Sequence, residues 1–186
     1  MTKKPNKKPA VFLDRDGTVI KEVEYLSNMR DLKPFTGVGK SLRMLRNSGF
    51  AVVLITNQSG VARGYFTMDF VESVHAKLEE MLSFKFDGIY YCPHGPDDGC
   101  DCRKPKAGMI RKAVEEIGID LNNSYMIGDK SIDIELANSL GFPGLLVLTG
   151  YGFDQQNNRN AVETAYVAAD LNDACRWILV RAADNP

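Results

Sequence analysis

Short apolar runs bounded by glycine, proline or polar residues alternate with longer stretches in which apolar residues recur every three or four positions. The short runs have the length of buried strands, whereas the longer stretches have the periodicity of helices. This alternation predicts an α/β protein in which helices flank a central parallel sheet on both faces. The predicted strands are Ala10–Leu13, Ala51–Ile55, Gly88–Tyr91, Tyr125–Ile127 and Leu145–Leu148.

Residues that favour helix starts and ends mark the longer stretches. Thr67 is a candidate N-cap, and Gly49, Gly118 and Gly141 are candidate helix stops, because glycine tolerates the left-handed backbone found there. The predicted helices are Val38–Asn47, Met68–Leu82, Met109–Ile117, Ile132–Leu140 and Leu171–Ala182. Residues 21–35 and 93–106 are predicted to be irregular, and residues 151–163 to be a polar loop.

The length and charge of the chain limit the classes of protein to which it can belong. At 186 residues, we expect residues 1–186 to form a single domain, with one small insertion at residues 92–102 after the third strand. The formal net charge of −1 lacks the basic excess typical of nucleic-acid or membrane-surface binding. No apolar run reaches a signal-peptide core or the roughly 20 residues of a membrane span. The sequence therefore predicts a cytoplasmic protein with no nucleic-acid or membrane partner, and a monomer because no large cap is visible.

Two carboxylates follow the first predicted strand, in the run Asp-Arg-Asp-Gly-Thr that begins at Asp14. A phosphate group repels a carboxylate, but bound Mg²⁺ removes that repulsion, so Asp14 could attack phosphorus and form an acyl phosphate. Asp16, on the same side of an extended chain, could protonate the leaving oxygen and then activate water. Gly17 allows the backbone to turn away sharply. For an isolated motif of this kind, aspartates that only cap a turn are the alternative.

Further polar residues follow the second and fourth predicted strands, at the edge where open parallel sheets bind ligands. Thr56 begins the run Thr-Asn-Gln-Ser-Gly, whose hydroxyl and main-chain amides could hold phosphoryl oxygens. Asp129 could complete a set of oxygen ligands. Asp133 could support it from the next helical turn or face solvent. The sequence therefore predicts a magnesium site formed by Asp14, Asp16 and Asp129.

Three of the four cysteines lie close together around a histidine. Two pairs of soft ligands separated by a short loop can close tetrahedrally on one Zn²⁺. Four protein ligands leave no open position, which favours a structural zinc that orders the loop and fixes Arg103 and Lys104 just after it. Unrelated thiols and a surface histidine are the alternative. The predicted zinc ligands are Cys92, His94, Cys100 and Cys102.

Three other residues are interpreted from their neighbours. Lys104 could balance negative charge on Asp14 and on a bound phosphate, although a basic pair beside a proline is often a solvated loop. Cys175 is expected in the core, on the apolar face of the last helix. His75, in the middle of a helix, is expected at the surface or its boundary and without a chemical role.

Taken together, these residues resemble the four motifs of the haloacid dehalogenase (HAD) superfamily, in the order typical of that family. The resemblance lies in residues 13–18 for the first motif, 55–57 for the second, Lys104 for the third and 128–130 for the fourth. It covers most of the chain. It implies a Rossmann-like fold with a minimal cap, an aspartyl-phosphate intermediate on Asp14, and Mg²⁺ as cofactor.

Within this superfamily, the first motif, the zinc loop and Arg103-Lys104-Pro105 are similar to two groups of phosphatases, which act on heptose bisphosphate and on histidinol phosphate. The run TNQSGVARG at residues 56–64 and the presence of Tyr25 resemble the first group more. The resemblance therefore implies removal of the C7 phosphate of a heptose bisphosphate, in the synthesis of lipopolysaccharide precursors, with Arg103 at the remaining anionic end. A histidinol-phosphate phosphatase of histidine biosynthesis and a non-catalytic, zinc-stabilised binding module stay open as alternatives.

The resemblance also implies roles for individual residues around a small phosphorylated sugar. The expected catalytic residues are Asp14, Asp16, Thr56 and Lys104. The expected substrate contacts are Arg15, Tyr25, Asn57, Gln58, Ser59, Arg63, Arg103 and Lys130.

Overall fold

The computed structural model describes residues 7–157 and 163–184. Residues 1–6 of the lysine-rich start, residues 158–162 of the loop predicted at 151–163, and the last two residues lie outside the described residues. Within the described ranges, six parallel strands form one sheet in the order β3-β2-β1-β4-β5-β6. The strands are β1 (Lys8–Leu13), β2 (Ala51–Asn57), β3 (Gly88–Cys92), β4 (Ile119–Gly128), β5 (Gly144–Val147) and β6 (Tyr166–Ala168).

The predicted α/β class and all five predicted strands are confirmed, and β6 is an addition. Only three residues long, β6 is too short to show a pattern of its own. The order of the strands reverses direction between β1 and β4, and open parallel sheets bind ligands at such a point, beyond the carboxyl ends of the strands. Residues that directly follow β1 and β4 therefore occupy the expected position of a site.

Helices lie between the strands. They are α1 (Val38–Asn47), α2 (Met68–Leu82), α3 (Gly108–Ala113), α4 (Ser131–Ser139), α5 (Gly152–Asn157) and α6 (Leu171–Asp184). The first two have the predicted bounds, and the Thr67 hydroxyl accepts a hydrogen bond from the Phe70 amide at 3.2 Å, as expected of an N-cap. The π-helical turn Val114–Gly118 extends α3. In the part of the chain that the structure describes, no helix is both long and apolar enough to cross a bilayer.

The position of α5 corrects the expectation that residues 151–163 form a polar loop. This helix is short and polar, so it lacks the apolar periodicity on which the prediction of helices depended. Its first residue packs directly on β5, because a Cβ atom at Gly152 would lie 1.7 Å from the Val147 carbonyl oxygen. Glycine at this position therefore lets the helix begin against the end of the strand.

Two apolar clusters cover the two faces of the sheet. Along β1, Val11 and Leu13 belong to one cluster with α1, α2 and α6, whereas Ala10 and Phe12 belong to the other with α3 and α4. This alternation follows from the period of two along a strand. Because both faces are buried, the strand is apolar throughout its centre. The core thus holds the carboxyl ends of β1 and β4 in place below the site.

Candidate active site

Three aspartates meet where β1 and β4 end. Asp14 directly follows β1, Asp129 directly follows β4, and Asp133 lies in the first turn of α4. One oxygen from each carboxylate lies within 4.8 Å of the others, and we call these three residues the carboxylate group. Asp14 is 5% exposed, and Asp129 and Asp133 are fully buried. Buried carboxylates so close together need positive charge nearby, because neither water nor distance weakens their repulsion.

Lys104 supplies part of that charge. Its Nζ lies 2.7 Å from Asp14 Oδ1 and 2.7 Å from Asp133 Oδ1, and it donates a hydrogen bond to the Ile55 carbonyl at 3.1 Å. Burial alone would lower the pKa of Lys104, but the two carboxylates outweigh burial and raise it. Lys104 is therefore an ammonium ion. Three carboxylates against one ammonium still leave an excess of negative charge.

Asp129 shows where a cation fits. Its Oδ2 accepts a hydrogen bond from the Tyr151 amide at 2.9 Å, while its buried Oδ1 has no hydrogen-bond partner. Burial and, to a smaller extent, the charge of Asp14 raise the pKa of Asp129 to about 8. Burial likewise raises the pKa of Asp133 to about 6. An unpartnered buried oxygen beside two other carboxylates is the donor set that a hard divalent cation prefers.

Two glycines make room for Asp129. A Cβ atom at Gly17 would lie 2.1 Å from Asp129 Oδ2, and one at Gly150 would lie 2.2 Å from the same oxygen. Both glycines have positive φ, which L side chains rarely adopt. The carboxylate of Asp129 therefore sits against bare backbone on two sides. Gly150, which follows β5, was not among the predicted site residues.

Asp16 is not part of the carboxylate group. The sequence analysis assumed an extended chain after Asp14, but residues 15–20 form a tight turn in which the Val19 and Ile20 amides donate to the Arg15 carbonyl. This turn directs the Asp16 carboxylate toward Arg15 Nη2, which lies 2.9 Å away, and toward Gln58 Nε2 at 2.8 Å. The structure thus brings Asp133 to Asp14 and Asp129, in the place that the sequence analysis gave to the Asp16 side chain. Asp133 does not face solvent.

The residues after β2 hold other parts of the site. Thr56 Oγ1 is buried and accepts a hydrogen bond from Gln58 Nε2 at 3.0 Å. Asn57 binds the backbone of Lys104 twice, because its Oδ1 accepts from the Lys104 amide at 3.0 Å and its Nδ2 donates to the Lys104 carbonyl at 3.2 Å. The side chain of Asn57, expected to contact substrate, therefore positions Lys104.

Arg15, also expected to contact substrate, is turned inward. It is 1% exposed, and its guanidinium donates to Asp16 and to Gln58 Oε1, the latter at 2.9 Å. Its Nη1 lies 3.4 Å from His75 Nε2. These protein partners occupy the guanidinium, so its contacts are with the groups that surround Asp16.

The prediction that His75 lies at the surface or its boundary is wrong. His75 is 5% exposed, and its ring centre lies 5.6 Å from that of Tyr91. Burial and, to a smaller extent, the charge of the Arg15 guanidinium lower the pKa of His75 to about 3. Helical spacing was the missed signal, because His75 follows Val71 by four positions and precedes Leu82 by seven on the buried stripe of α2. Cys175, by contrast, is buried in the core as predicted.

A cavity of about 290 Å³ opens beside Asp16. Besides Arg15, whose guanidinium is paired with Asp16, two cations line this cavity, Arg103 and Lys130. Lys130 Nζ lies 3.5 Å from a Glu22 carboxylate oxygen and 4.4 Å from the centre of the Tyr151 ring. Burial raises the pKa of Glu22, and the neighbouring charge of Lys130 opposes that rise. The other lining residues are Arg15, residues 23–26, residues 57–60, Ile132 and Tyr151.

Tyr25 and Arg63 lie at the outer part of this region. Tyr25 lines the cavity, is 37% exposed and meets Tyr65 edge to face, with ring centres 4.8 Å apart. The Arg63 guanidinium lies 5.8 Å from the centre of the Tyr25 ring. Arg63 is exposed and not among the residues that line the cavity. The other seven predicted substrate contacts all line the cavity: Arg15, Tyr25, Asn57, Gln58, Ser59, Arg103 and Lys130.

The four predicted zinc ligands come together in one loop. Cys92 Sγ lies 3.0 Å from Cys102 Sγ and 3.6 Å from both Cys100 Sγ and His94 Nδ1. The three cysteines are free thiols. Ligand atoms around one tetrahedral zinc are separated by roughly 3.7 Å, given Zn–S bonds near 2.3 Å, so these residues fit that ion. Arg103, directly after the last ligand, donates to the His94 carbonyl at 3.3 Å.

Comparisons with known proteins show which family the chain belongs to. A family model described as HAD-hydrolase-like matches residues 101–174, which include Lys104, Asp129 and Asp133. The order of the sheet and this match place the chain among the HAD-like hydrolases. Two similar relatives indicate which family of HAD-like hydrolases this is. A D-glycero-beta-D-manno-heptose-1,7-bisphosphate 7-phosphatase of Haemophilus ducreyi is 42% identical over 165 residues, covering 83% of this chain and 91% of the relative.

A second relative, the D-glycero-D-manno-heptose-1,7-bisphosphate 7-phosphatase of Thermosynechococcus vestitus, is 38% identical and covers 95% of this chain and 98% of its own. The chain therefore belongs to the family of D-glycero-D-manno-heptose-1,7-bisphosphate 7-phosphatases, and it is a phosphoric monoester hydrolase. The crystal structure of the D,D-heptose 1,7-bisphosphate phosphatase from B. bronchiseptica, complexed with magnesium and phosphate, superposes with a TM-score of 0.87. It is 33% identical and covers 93% of this chain and 99% of its own.

Proposed function

We propose that this protein removes the C7 phosphate from D-glycero-D-manno-heptose 1,7-bisphosphate, with Mg²⁺ in the carboxylate group and an aspartyl-phosphate intermediate on Asp14. One observation carries the proposal. A buried group of three aspartates and one lysine lies beside a cavity that is lined by Arg15 and Lys130, the residues after Asp14 and Asp129, and by Arg103. The first feature suits one phosphate and its metal ion, and the second suits another anionic group on the same substrate.

Magnesium would be held by Asp14, Asp129 and Asp133. When bound, it supplies positive charge that lets a carboxylate approach an anionic phosphoryl group. A single divalent cation also balances the two negative charges that remain after Lys104 is counted against the three aspartates. The unpartnered Oδ1 of Asp129 gains a ligand at the same time.

Asp14 is the nucleophile in the first step. Because Lys104 binds Oδ1, the other carboxylate oxygen of Asp14 is left to attack phosphorus. The bond from phosphorus to the sugar oxygen breaks as the bond to Asp14 forms, and Asp16 gives a proton to the sugar oxygen as it leaves. Thr56 and the amides that follow β2 hold the oxygens of the transferring phosphoryl group.

Water completes the reaction. Asp16, now without its proton, accepts one from a water molecule that attacks the phosphoryl group on Asp14. The acyl phosphate bond breaks, inorganic phosphate leaves, and Asp14 is regenerated as a carboxylate. Lys104 stays paired with Asp14 and Asp133 throughout, because its burial between two carboxylates keeps it charged.

Arg103 and Lys130 bind the phosphate that is not removed. Both line the cavity, and charge-assisted hydrogen bonds to phosphate are the strongest that these side chains make. A structural Zn²⁺ on Cys92, His94, Cys100 and Cys102 would fix Arg103 through the bond from its guanidinium to the His94 carbonyl. Tyr25, Ser59 and Glu22 face the sugar between the two phosphates.

A comparison of kcat/KM between the heptose 1,7-bisphosphate, the heptose 7-phosphate and histidinol phosphate tests the substrate, because this ratio reports differential binding of the transition state. Both anomers of the bisphosphate belong in the panel. We expect Arg103→Met to lower kcat/KM for the bisphosphate about tenfold to a hundredfold, the value of one charge-assisted hydrogen bond, and to leave the 7-phosphate almost unchanged.

Lys112→Met, which removes an exposed cation on α3, is the matched control and should change neither value. Equal losses on both sugars would mean that Arg103 does not recognise the second phosphate. A higher kcat/KM for histidinol phosphate than for the heptose bisphosphate would overturn the proposed substrate.

A further inference from the structure

A buried polar chain links α2 to Asp16. It runs from His75 through the Arg15 guanidinium to the Asp16 carboxylate, and we call these three residues the α2 relay. His75 is 5% exposed and Arg15 is 1% exposed. None of the reaction steps above uses His75, although a buried imidazole without a purpose would cost free energy compared with an apolar side chain.

We propose that His75 is a positioning residue: its Nε2 accepts a hydrogen bond from Arg15 and so holds the guanidinium in the orientation that presents Asp16 to the leaving oxygen. This inference rests on the proposed role of Asp16 in proton transfer. It adds a residue on α2 that none of the four motifs contains.

The chemistry of the contact fixes the protonation state of the imidazole. A guanidinium has only N–H donors, so the ring nitrogen 3.4 Å from Arg15 Nη1 must offer a lone pair. His75 is therefore neutral, with its proton on Nδ1. Its surroundings agree, because burial and the charge of Arg15 hold the pKa of His75 at about 3. A protonated imidazole here would repel the guanidinium.

The geometry of Arg15 explains why its orientation matters. Its Nε lies 3.1 Å from Asp16 Oδ2, and its Nη2 lies 3.0 Å from Asp16 Oδ1, so the fork of the guanidinium matches the carboxylate. The same Nη2 donates to Gln58 Oε1, and Gln58 Nε2 in turn donates to Asp16. Only Nη1 remains to be held, and His75 is its partner among the hydrogen bonds that the structure describes for that atom. Rotation of the guanidinium would carry Asp16 with it.

The experiment compares two leaving groups. We expect His75→Phe, which keeps a ring against Tyr91 but removes the acceptor, to lower kcat/KM on the heptose bisphosphate about tenfold to a hundredfold, part of the 10²–10⁴ that positioned proton transfer supplies. This ratio reports the steps up to departure of the leaving group and excludes the later attack of water, in which Asp16 also serves. On p-nitrophenyl phosphate, whose leaving group needs no proton, kcat/KM should change less than about threefold by the same reasoning. His75→Gln, whose amide oxygen can accept from Arg15, should restore most of the loss. If the Phe variant does not fold, His75→Met fills similar space without a strong acceptor and replaces it.

Two further variants make the result decisive. Val74→Ala changes a buried neighbour on the same helix and should affect both substrates equally, as a purely structural role would. Asp16→Asn calibrates the assay, because loss of the acid should discriminate between the leaving groups more than any other change. If Asp16→Asn discriminates and the His75 variants do not, His75 has no positioning role. If Asp16→Asn itself does not discriminate, the proposed role of Asp16 fails and the inference fails with it.

Discussion

The carboxylate group and the zinc loop are both sets of potential metal ligands, but the chain builds them in opposite ways. In the first, Asp14 and its partner Lys104 lie 90 positions apart, and the fold alone brings them together. In the second, Cys92 ends β3 and Cys102 lies ten positions further on, in the loop that follows this strand. The first site therefore depends on the formation of the sheet, whereas the order of the loop would depend on the proposed zinc ion.

The carboxylate group is also more deeply buried than the zinc loop. Every aspartate of the carboxylate group is 5% exposed or less, at the centre of the sheet, and it is held by the core. In the zinc loop, Cys92 is buried at the end of β3, which is an edge strand, whereas His94 is exposed and Cys100 and Cys102 are partly exposed. Loss of a ligand should thus damage chemistry at the first site and order at the second.

Replacement of the proposed nucleophile, Asp14, should give the largest effect: a loss of activity without a loss of stability. We expect Asp14→Asn to lower kcat on the heptose bisphosphate by about 10³-fold or more, the scale seen when a catalytic group is removed. The melting temperature should stay the same or rise, because the change removes one of three carboxylates that repel one another in the absence of a cation. Phosphate release and thermal unfolding of the same preparation test both halves.

Asp31→Asn, which neutralises an exposed aspartate before α1, is the control and should leave both measurements unchanged. Wild-type turnover in Asp14→Asn would rule out the aspartyl-phosphate mechanism. A large fall in melting temperature would instead show that the carboxylate group stabilises the fold, contrary to the comparison.

Loss of a zinc ligand should instead lower the stability of the folded protein. We expect about one equivalent of zinc in the purified protein, and we expect Cys100→Ser to lower the free energy of unfolding by about 2–4 kcal/mol, which is roughly 4–16 °C in melting temperature at this chain length. Activity should fall as well, because Arg103 follows the loop and binds the His94 carbonyl. Metal analysis and thermal unfolding with and without a chelator provide the measurements.

Cys175→Ala is the matched control, since Cys175 is a buried thiol outside the loop. It should cost some stability through a smaller side chain, but chelator should destabilise it as much as it destabilises the wild type. Chelator should have little further effect on Cys100→Ser. A melting temperature of Cys100→Ser equal to that of the wild type would argue against a structural metal in the loop.

The same contrast explains how much of the molecule can be predicted from its sequence. All four loop ligands were visible as a local pattern, and the fold brings them within 4.8 Å of one another. The strands were visible because both of their faces are buried. By contrast, the partner of Asp14 and Asp129 could not be chosen between Asp16 and Asp133 from the sequence, since the choice depends on the turn after Asp14 and on the packing of α4.

Other differences have equally specific causes. The sequence patterns did not detect β6 and α5, because a strand of three residues and a mostly polar helix of six contain too little periodicity. The resemblance to known phosphatases implied that Arg15 and Asn57 contact substrate. In the structure their partners are protein groups, which only the three-dimensional arrangement reveals. His75 alone could have been placed better, from the apolar stripe on α2 that includes it.

Acid should disturb both metal sites, because carboxylates and thiolates take up protons, and His75 belongs to neither site. The contribution of His75 to the pH dependence of stability must therefore be separated before the two proposed metal sites are compared below pH 7. The folded protein holds the pKa of His75 at about 3, against 6.5 for an unperturbed histidine. Between pH 7 and pH 5 the unfolded chain takes up this proton and the folded protein does not, so stability falls as the pH falls. At 1.36 kcal/mol for each pH unit below 6.5, the expected loss is about 2 kcal/mol at pH 5.

His75→Gln isolates this effect, since glutamine does not titrate and every other group is shared. Between pH 7 and pH 5, the wild-type protein should lose about 2 kcal/mol more unfolding free energy than the variant in denaturant titrations, by the same arithmetic. The gap should grow further toward pH 4, because the folded histidine is still neutral there. Parallel pH profiles for the two proteins would mean that His75 is accessible to protons in the folded state, and the buried, neutral imidazole would then have to be abandoned.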